Sequence, residues 1–445
     1  MKKVQQKGLS LFLALCMMAA VFCCSASAGE TVTLKTVADT ASWIVKQEQP
    51  VTITKGRLNQ SYRYAEIDTP IYLVALQDKE QSSGAKALIQ ASVPKNSNLV
   101  LAGYGIGGQV AQQLAADSNL KAQYEILFTC SFGAPVSVLT GTEGVVQRLG
   151  DTKDPNVRMP IAFKSSGYGD KFVSNPLKDG QDAHASYTDP DLWGSADCVG
   201  HGFQDDSNVV ITLDPQTEVG SDSKVTYKNS IVNVDTMADL IKYLRTSYNK
   251  NTAGPICISQ AVLHRDGENL PVYLVTLAGL ESDGQGNDIN ACLHSGFNLE
   301  STYSRRLRQV MTQNIPENAN VVIIGDSLGG MTAEQMAADP TIKDRYNILY
   351  TMTTGSPNVD PIGREGQVIR MCDVNDPVPY LSVNLPLARM DRVEDDAGFG
   401  KFSFDAHGKY YRDPTWSKYD VMGQKGGRTS MTIDTSTAHF YKVPK

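Results

Sequence analysis

Apolar residues along this chain come in short unbroken runs, which alternate with stretches where they recur every three or four positions. "TPIYLVAL" (69–76), "NLVLAGY" (98–104) and "YEILFTC" (124–130) are of the first kind; "VADTASWI" (37–44) and "GGQVAQQLAADS" (107–118) are of the second. Short buried strands between amphipathic helices predict a mostly parallel sheet covered on both faces, the α/β architecture. The order then returns, with "LPVYLVTL" (270–277), "NVVII" (320–324) and "YNILYTM" (346–352).

The return is a repeat of sequence as well as of pattern. Residues 98–135 and 320–357 align without gaps at an offset of 222, with about 17 of 38 positions identical. "DAHASYTDPDLW" (182–193) likewise matches "DAHGKYYRDPTW" (405–416). Two units of this length suit a two-lobed protein better than a solenoid of short repeats. The expected boundaries are 29–234 for the first lobe and 235–445 for the second. Repeat two is longer between its early strand and its glycine-rich turn, and residues 281–301 carry the additional material.

Composition narrows the reading. A formal charge of −7 gives no positive field for nucleic acid, so nucleic acid is not an expected partner. "MKK", an apolar stretch and Ala26-Ser27-Ala28 read as a secretory signal over residues 1–28, which places the mature chain outside the cell. Nothing later approaches the ~18 apolar residues of a membrane span. Cys130, Cys198, Cys257, Cys292 and Cys372 remain after the signal; five dispersed cysteines form neither a disulfide scaffold nor a zinc site, though one isolated bridge is open.

The chemistry concentrates in "VVIIGDSLGG" (321–330), where a strand runs directly into a helix. Gly325-x-Ser327-x-Gly329 is the spacing of a nucleophile elbow, whose glycines let strand and helix pack closely while the serine is pushed out above the sheet. The N–H of Leu328, at the helix start, faces an oxyanion. Repeat one makes the same turn as "GYGIGG", with Gly105 in place of Ser327. The turn therefore needs no serine, which points to chemistry for the one in repeat two.

A serine nucleophile needs a base and an acid to orient it. Two histidines follow Ser327. His407 has a counterpart, His184, in the repeat that lacks the serine, and so reads as structural. His439 aligns with Val225 when the shared "YK" sets the register, so serine and histidine are absent together from repeat one; His439 is the expected base. Asp376, in "CDVNDPVPYL" (372–381), is the expected acid, with Asp170 its counterpart; Asp360, Asp373 and Asp391 are lesser candidates.

These residues resemble class 3 lipases, the fungal-type triacylglycerol lipases and their bacterial relatives. The resemblance covers most of repeat two: "VYLVTLAG", "GNDINACL", "VVIIGDSLGG", "TTGSPNVD", "VIRMCDVNDPVPYL" and "AHFYK". It implies two tandem α/β-hydrolase-like lobes, the first degenerate and the second a serine ester hydrolase, lipase or carboxylesterase, working through an acyl-enzyme. It implies Ser327, Asp376 and His439 as the triad, with the N–H groups of Leu328 and Leu280 as the oxyanion hole and residues 281–301 in the place of a lid. A small-molecule or lipid ester is the implied substrate, with transient contact to a lipid interface and no metal or organic cofactor required. Two positions depart from the family: Asp326 stands where it most often has histidine, and Leu280 where it has serine or threonine.

Other readings fit less well. GDSL esterases carry their serine near the mature N-terminus and an Asp-x-x-His near the end, and this chain has neither. The alternative from another class is a ligand- or surface-binding protein built from two hydrolase-like lobes, with no chemistry in either.

Overall fold

The computed structural model describes residues 31–444, apart from 80–83, 136–144, 152–153, 158–169, 174–181, 201–207, 219, 221, 246–252, 281–288, 360–362, 382–391, 397–406, 408–409 and 411–413. The secretory reading of residues 1–28 and the candidates Asp360 and Asp391 lie outside the described residues.

Lobe one contains strands β1 (Val32–Leu34), β2 (Val51–Ser61), β3 (Ala65–Leu76), β4 (Asn98–Tyr104), β5 (Glu125–Phe132), β6 (Val145–Asp151), β7 (Asp170–Val173), β8 (Asn208–Leu213) and β9 (Lys224–Tyr227). Its main helices are α1 (Val37–Val45), α2 (Ala85–Ser92) and α3 (Ile106–Ala116). Lobe two contains β10 (Ile231–Val234), β11 (Ile256–Arg265), β12 (Glu268–Leu277), β13 (Asn320–Asp326), β14 (Asn347–Thr354), β15 (Gln367–Asp373), β16 (Arg392–Asp395) and β17 (Ser430–Tyr441). Its main helices are α4 (Met237–Leu244), α5 (Ile289–Gly296), α6 (Thr302–Asn314) and α7 (Leu328–Ala338).

Each lobe has its own mixed sheet, and the two sheets have the same topology. The orders are β1-β8-β2-β3-β4-β5-β6-β7, with β9 beside β3, and β10-β17-β11-β12-β13-β14-β15-β16. In both, the first three pairings are antiparallel and the rest parallel. The central strands "NLVLAGY" and "VVII" are buried throughout, as strands covered on both faces must be. One face of each sheet packs under α1 or α4, with Trp193 or Trp416 in that layer. The other face carries α2 and α3 in lobe one, and α6 and α7 in lobe two. Thr36 and Thr236 cap α1 and α4 by accepting from Asp39 N–H and Asp239 N–H.

Two expectations need correction. The second sheet begins at Ile231 rather than after residue 234, because β10 pairs with β17 just as β1 pairs with β8. The counterpart of β17 is therefore β8, not the "SKVTYK" strand; Val225 lies on β9, against Ile67 of β3, and is not the counterpart of His439. The lobes meet through Tyr227 stacked on Tyr243 at 6.0 Å and an ion pair of Arg63 with Asp239 at 3.3 Å. Among the described residues no helix is long and apolar enough to cross a membrane. No disulfide joins the five cysteines, four of which are buried.

Candidate active site

The turn from β13 to α7 is tight for a reason visible in its glycines. A Cβ on Gly325 would stand 2.3 Å from the Gly329 carbonyl, and one on Gly329 would stand 2.4 Å from the Leu277 oxygen. Side chains at either position would force the helix off the strand. Ser327, between them, takes φ +49° and ψ −115°, a conformation that costs a non-glycine residue about 1–3 kcal/mol. The backbone on either side holds it there: Ser327 N–H donates to Thr354 O at 2.8 Å, and Ser327 O accepts from Gly330 and Met331. The side chain makes no cap for α7. Its hydroxyl is thereby left for another partner.

That partner is His407. Its Nε2 lies 3.1 Å from Ser327 Oγ, and its Nδ1 lies 2.9 Å from Asp376 Oδ2. A carboxylate only accepts, so Nδ1 carries the proton and Nε2 presents its lone pair to the serine. Asp376 is fully buried just beyond β15 and is held by three further contacts: Val378 N–H donates to Oδ1 at 2.8 Å, Tyr410 OH donates to Oδ2 at 2.9 Å, and Asp376 N–H donates to Asp373 O at 3.1 Å. Tyr410 OH in turn accepts from Asp373 N–H at 2.8 Å. Burial and the charge of Asp376 push the Tyr410 phenol far above its ordinary range, so it remains a donor. Its ring stacks on the fully buried Trp416, with centroids 5.9 Å apart. Gly355 completes the seat, since a Cβ there would come within 2.9 Å of both His407 Nδ1 and Asp376 Oδ2.

The expected base is thus corrected. His439 is an exposed residue on β17, paired with Ile258 of β11, three strands from β13. It does not meet Ser327. His407 stands there instead, presented by the segment that both repeats share. Asp376 is where the sequence expectation put it, and Asp373 serves through its backbone. The counterpart of Asp376 is Asp154 and not Asp170, whose backbone lies on β7; Asp154 Oδ2 meets His184 Nδ1 at 2.9 Å.

Charge around the imidazole is one-sided. Burial disfavours imidazolium, but the hydrogen bond and charge of Asp376 and the charge of Asp326 outweigh it, so the His407 pKa lies above the ordinary histidine value. Asp326 itself accepts a short hydrogen bond from Thr354 Oγ1 at the end of the neighbouring strand. Beneath the turn, Glu334 of α7 and Arg370 of β15 form a fully buried ion pair at 3.1 Å, and Arg370 also donates to Ser356 O at 3.0 Å. Desolvation holds the Glu334 pKa above the ordinary carboxylate value despite Arg370 and Arg364.

Leu328 opens α7 and is fully buried. Leu280 follows the end of β12, whose Leu277 pairs with Gly325, and its side chain is exposed. Alongside α7, helix α5 is fastened by Ser295 Oγ to Gln335 Oε1 at 3.3 Å, and Gln335 donates to Leu299 O at 3.2 Å. Leu293, Phe297 and Leu299 of this region are exposed. A separate cleft of about 900 Å³, lined by Lys224, Tyr227, Phe440 and Lys442, does not include Ser327.

No protein-family model matches the chain, and no curated protein or solved structure matches it either. A hydroxyl, an imidazole and a carboxylate joined in this order are able to move a proton off the hydroxyl as it attacks and to hold the imidazolium that results. That capacity follows from the geometry alone.

Proposed function

We propose that the protein is a serine ester hydrolase of the α/β-hydrolase type, with its chemistry in lobe two. The observation that carries this is the unbroken line Ser327 Oγ, His407 Nε2, His407 Nδ1, Asp376 Oδ2, with contacts of 3.1 and 2.9 Å. Ser327 attacks the ester carbonyl while His407 takes its proton; the alkoxide leaves with that proton, and water then releases the acyl group by the same path in reverse. Asp376 orients the ring and stabilises its charged form. The N–H groups of Leu328, at the positive end of α7, and of Leu280 are the oxyanion donors.

The exposed Leu280, Leu293, Phe297 and Leu299 favour an apolar acyl group and a carboxylesterase or lipase over a hydrolase of charged substrates. With residues 1–28 read as a signal, the enzyme acts outside the cell. Hydrolysis of p-nitrophenyl esters from acetate to palmitate, together with labelling by a fluorophosphonate probe, tests the reading. Ser327→Ala is expected to abolish both with the fold retained, and turnover by the folded variant would refute it.

A further inference from the structure

Lobe one, which has no nucleophile, nevertheless builds the same acid–base pair. Asp154 Oδ2 meets His184 Nδ1 at 2.9 Å and accepts from Tyr187 OH at 3.1 Å; Asp151 N–H donates to Tyr187 OH at 2.8 Å; Tyr187 stacks on Trp193 at 5.4 Å. Each contact has its equivalent around Asp376, His407, Tyr410 and Trp416. Asp154 is fully buried, and Asn156 Nδ2 also lies 3.0 Å from His184 Nδ1. Gly105 has φ +54° and ψ −120°, the conformation of Ser327 to within a few degrees.

What differs is the occupant of the space between the pair and the helix. Asp78 lies two residues past the end of β3, the place Gly279 takes after β12. Its Oδ1 accepts from Ile106 N–H at 2.8 Å, the first N–H of α3, and its Oδ2 lies 3.3 Å from His184 Nε2. A Cβ on Gly105 would fall 2.3 Å from the Asp78 Cγ. The carboxylate therefore fills the volume a serine side chain would use, with one oxygen on the oxyanion donor and the other on the base.

We propose that lobe one holds the acid, base and helix-start oxyanion donor of a hydrolase-type cradle, kept closed by its own Asp78, which serves as a built-in carboxylate ligand in the position of an acylated nucleophile. The site is by its chemistry a receptor for a small carboxylate, and Asp78 supplies that carboxylate intramolecularly. The Asp78 side chain is 42% exposed, so the occupant sits at the mouth and can be removed without opening the core. The inference extends the reading of lobe two to lobe one, and the experiment separates the two.

In a Ser327→Ala background, Asp78→Gly with Gly105→Ser is treated with a fluorophosphonate. The introduced hydroxyl forms a P–O bond, the P–F bond breaks, fluoride leaves, and the hydroxyl proton passes to His184 Nε2. Expected is a gain of one phosphonyl group, mapped to the peptide containing position 105 and abolished by His184→Ala. Gly105→Ser without Asp78→Gly is expected to react about 100-fold more slowly or worse, because the carboxylate holds the oxyanion donor. No labelling at position 105 in folded protein, under conditions that label Ser327 of the unaltered chain, overturns the proposal, as does equal labelling with Asp78 in place. Should the combined variant not fold, or Ser327 itself not react, Asp78→Gly alone decides. Its Tm is expected to rise with sodium acetate relative to sodium chloride at equal ionic strength, the unaltered chain showing no such rise. Absence of that difference also overturns it.

Discussion

Replacing each of two histidines by alanine distinguishes the geometry of lobe two from the expectation drawn from its sequence. His407 Nε2 is 3.1 Å from Ser327 Oγ, and its side chain is 11% exposed. Removing it leaves the hydroxyl without a base and the buried Asp376 without its imidazole. Loss of a triad base lowers kcat by about 10⁴- to 10⁶-fold, or about 5–8 kcal/mol of transition-state stabilisation. His439 is different in kind. It is separated from the β13 position in register with it by three interstrand steps, about 14 Å, and Ser327 lies a further four residues along, about 13 Å. No rotamer closes that gap, and an exposed residue is expected to change stability by about 0.5 kcal/mol or less. Hydrolysis of p-nitrophenyl butyrate, with thermal melts to confirm folding, should show His407→Ala nearly inactive and His439→Ala within about twofold of the unaltered protein. Free imidazole should restore part of the activity of His407→Ala by entering the vacated space. The reasoning fails if folded His407→Ala keeps its rate or if folded His439→Ala loses it.

Other expectations follow from neighbouring contacts. His407 must be neutral to act as the base, so kcat/KM rises with pH through its elevated pKa; Asp326→Asn removes one cause of the elevation and should move that limb to lower pH. A limb that stays in place or moves to higher pH would refute it. Tyr410→Phe strands the buried Asp373 N–H and takes a donor from Asp376, which should lower stability by about 1–3 kcal/mol in denaturant unfolding; an unchanged midpoint would count against the network. Arg370→Met leaves the buried Glu334 with only the more distant Arg364, at 3.7 Å, as a charge partner and should cost about 3 kcal/mol, measured the same way. Adding Glu334→Gln should return much of it, and a double variant no better than the single one would contradict that account.

The elbow was legible because its cause is local: strand, two glycines, serine and helix are contiguous, and the close approaches at Gly325 and Gly329 are the ones the spacing implies. Alternation of short apolar runs with helical patterns likewise gave the α/β class, since strands covered on both faces leave that trace. The base was not legible from the serine-less repeat alone. A lobe without a nucleophile is expected to lack the base too, whereas His184 and Asp154 remain paired, Asp154 being held by the core residue Tyr187, whose ring stacks on Trp193. The repeat did contain the answer: Asp154 and Asp376 are 222 residues apart, like the elbows, and His184 and His407 are 223 apart. Residue Asp78 could not be found this way, because its role depends on a turn that brings it over the next strand's end. The boundary near residue 231 was missed because β10 is four residues long and only its pairing with β17 marks it.

Strand β17 has a bearing on how the chain is made. It slots between β10 and β11, so the earliest strand of the second sheet waits some 200 positions for the one neighbour it has among the described residues. Until the ribosome has released residues 430–441, β10 lacks the strand it pairs with and the β17 side of β11 is bare, although Ser327, Asp376 and His407 have all been synthesised. Nascent chains arrested before that point should therefore hold every reactive group yet bind holdase chaperones, and completion of β17 is the event that seals the edge.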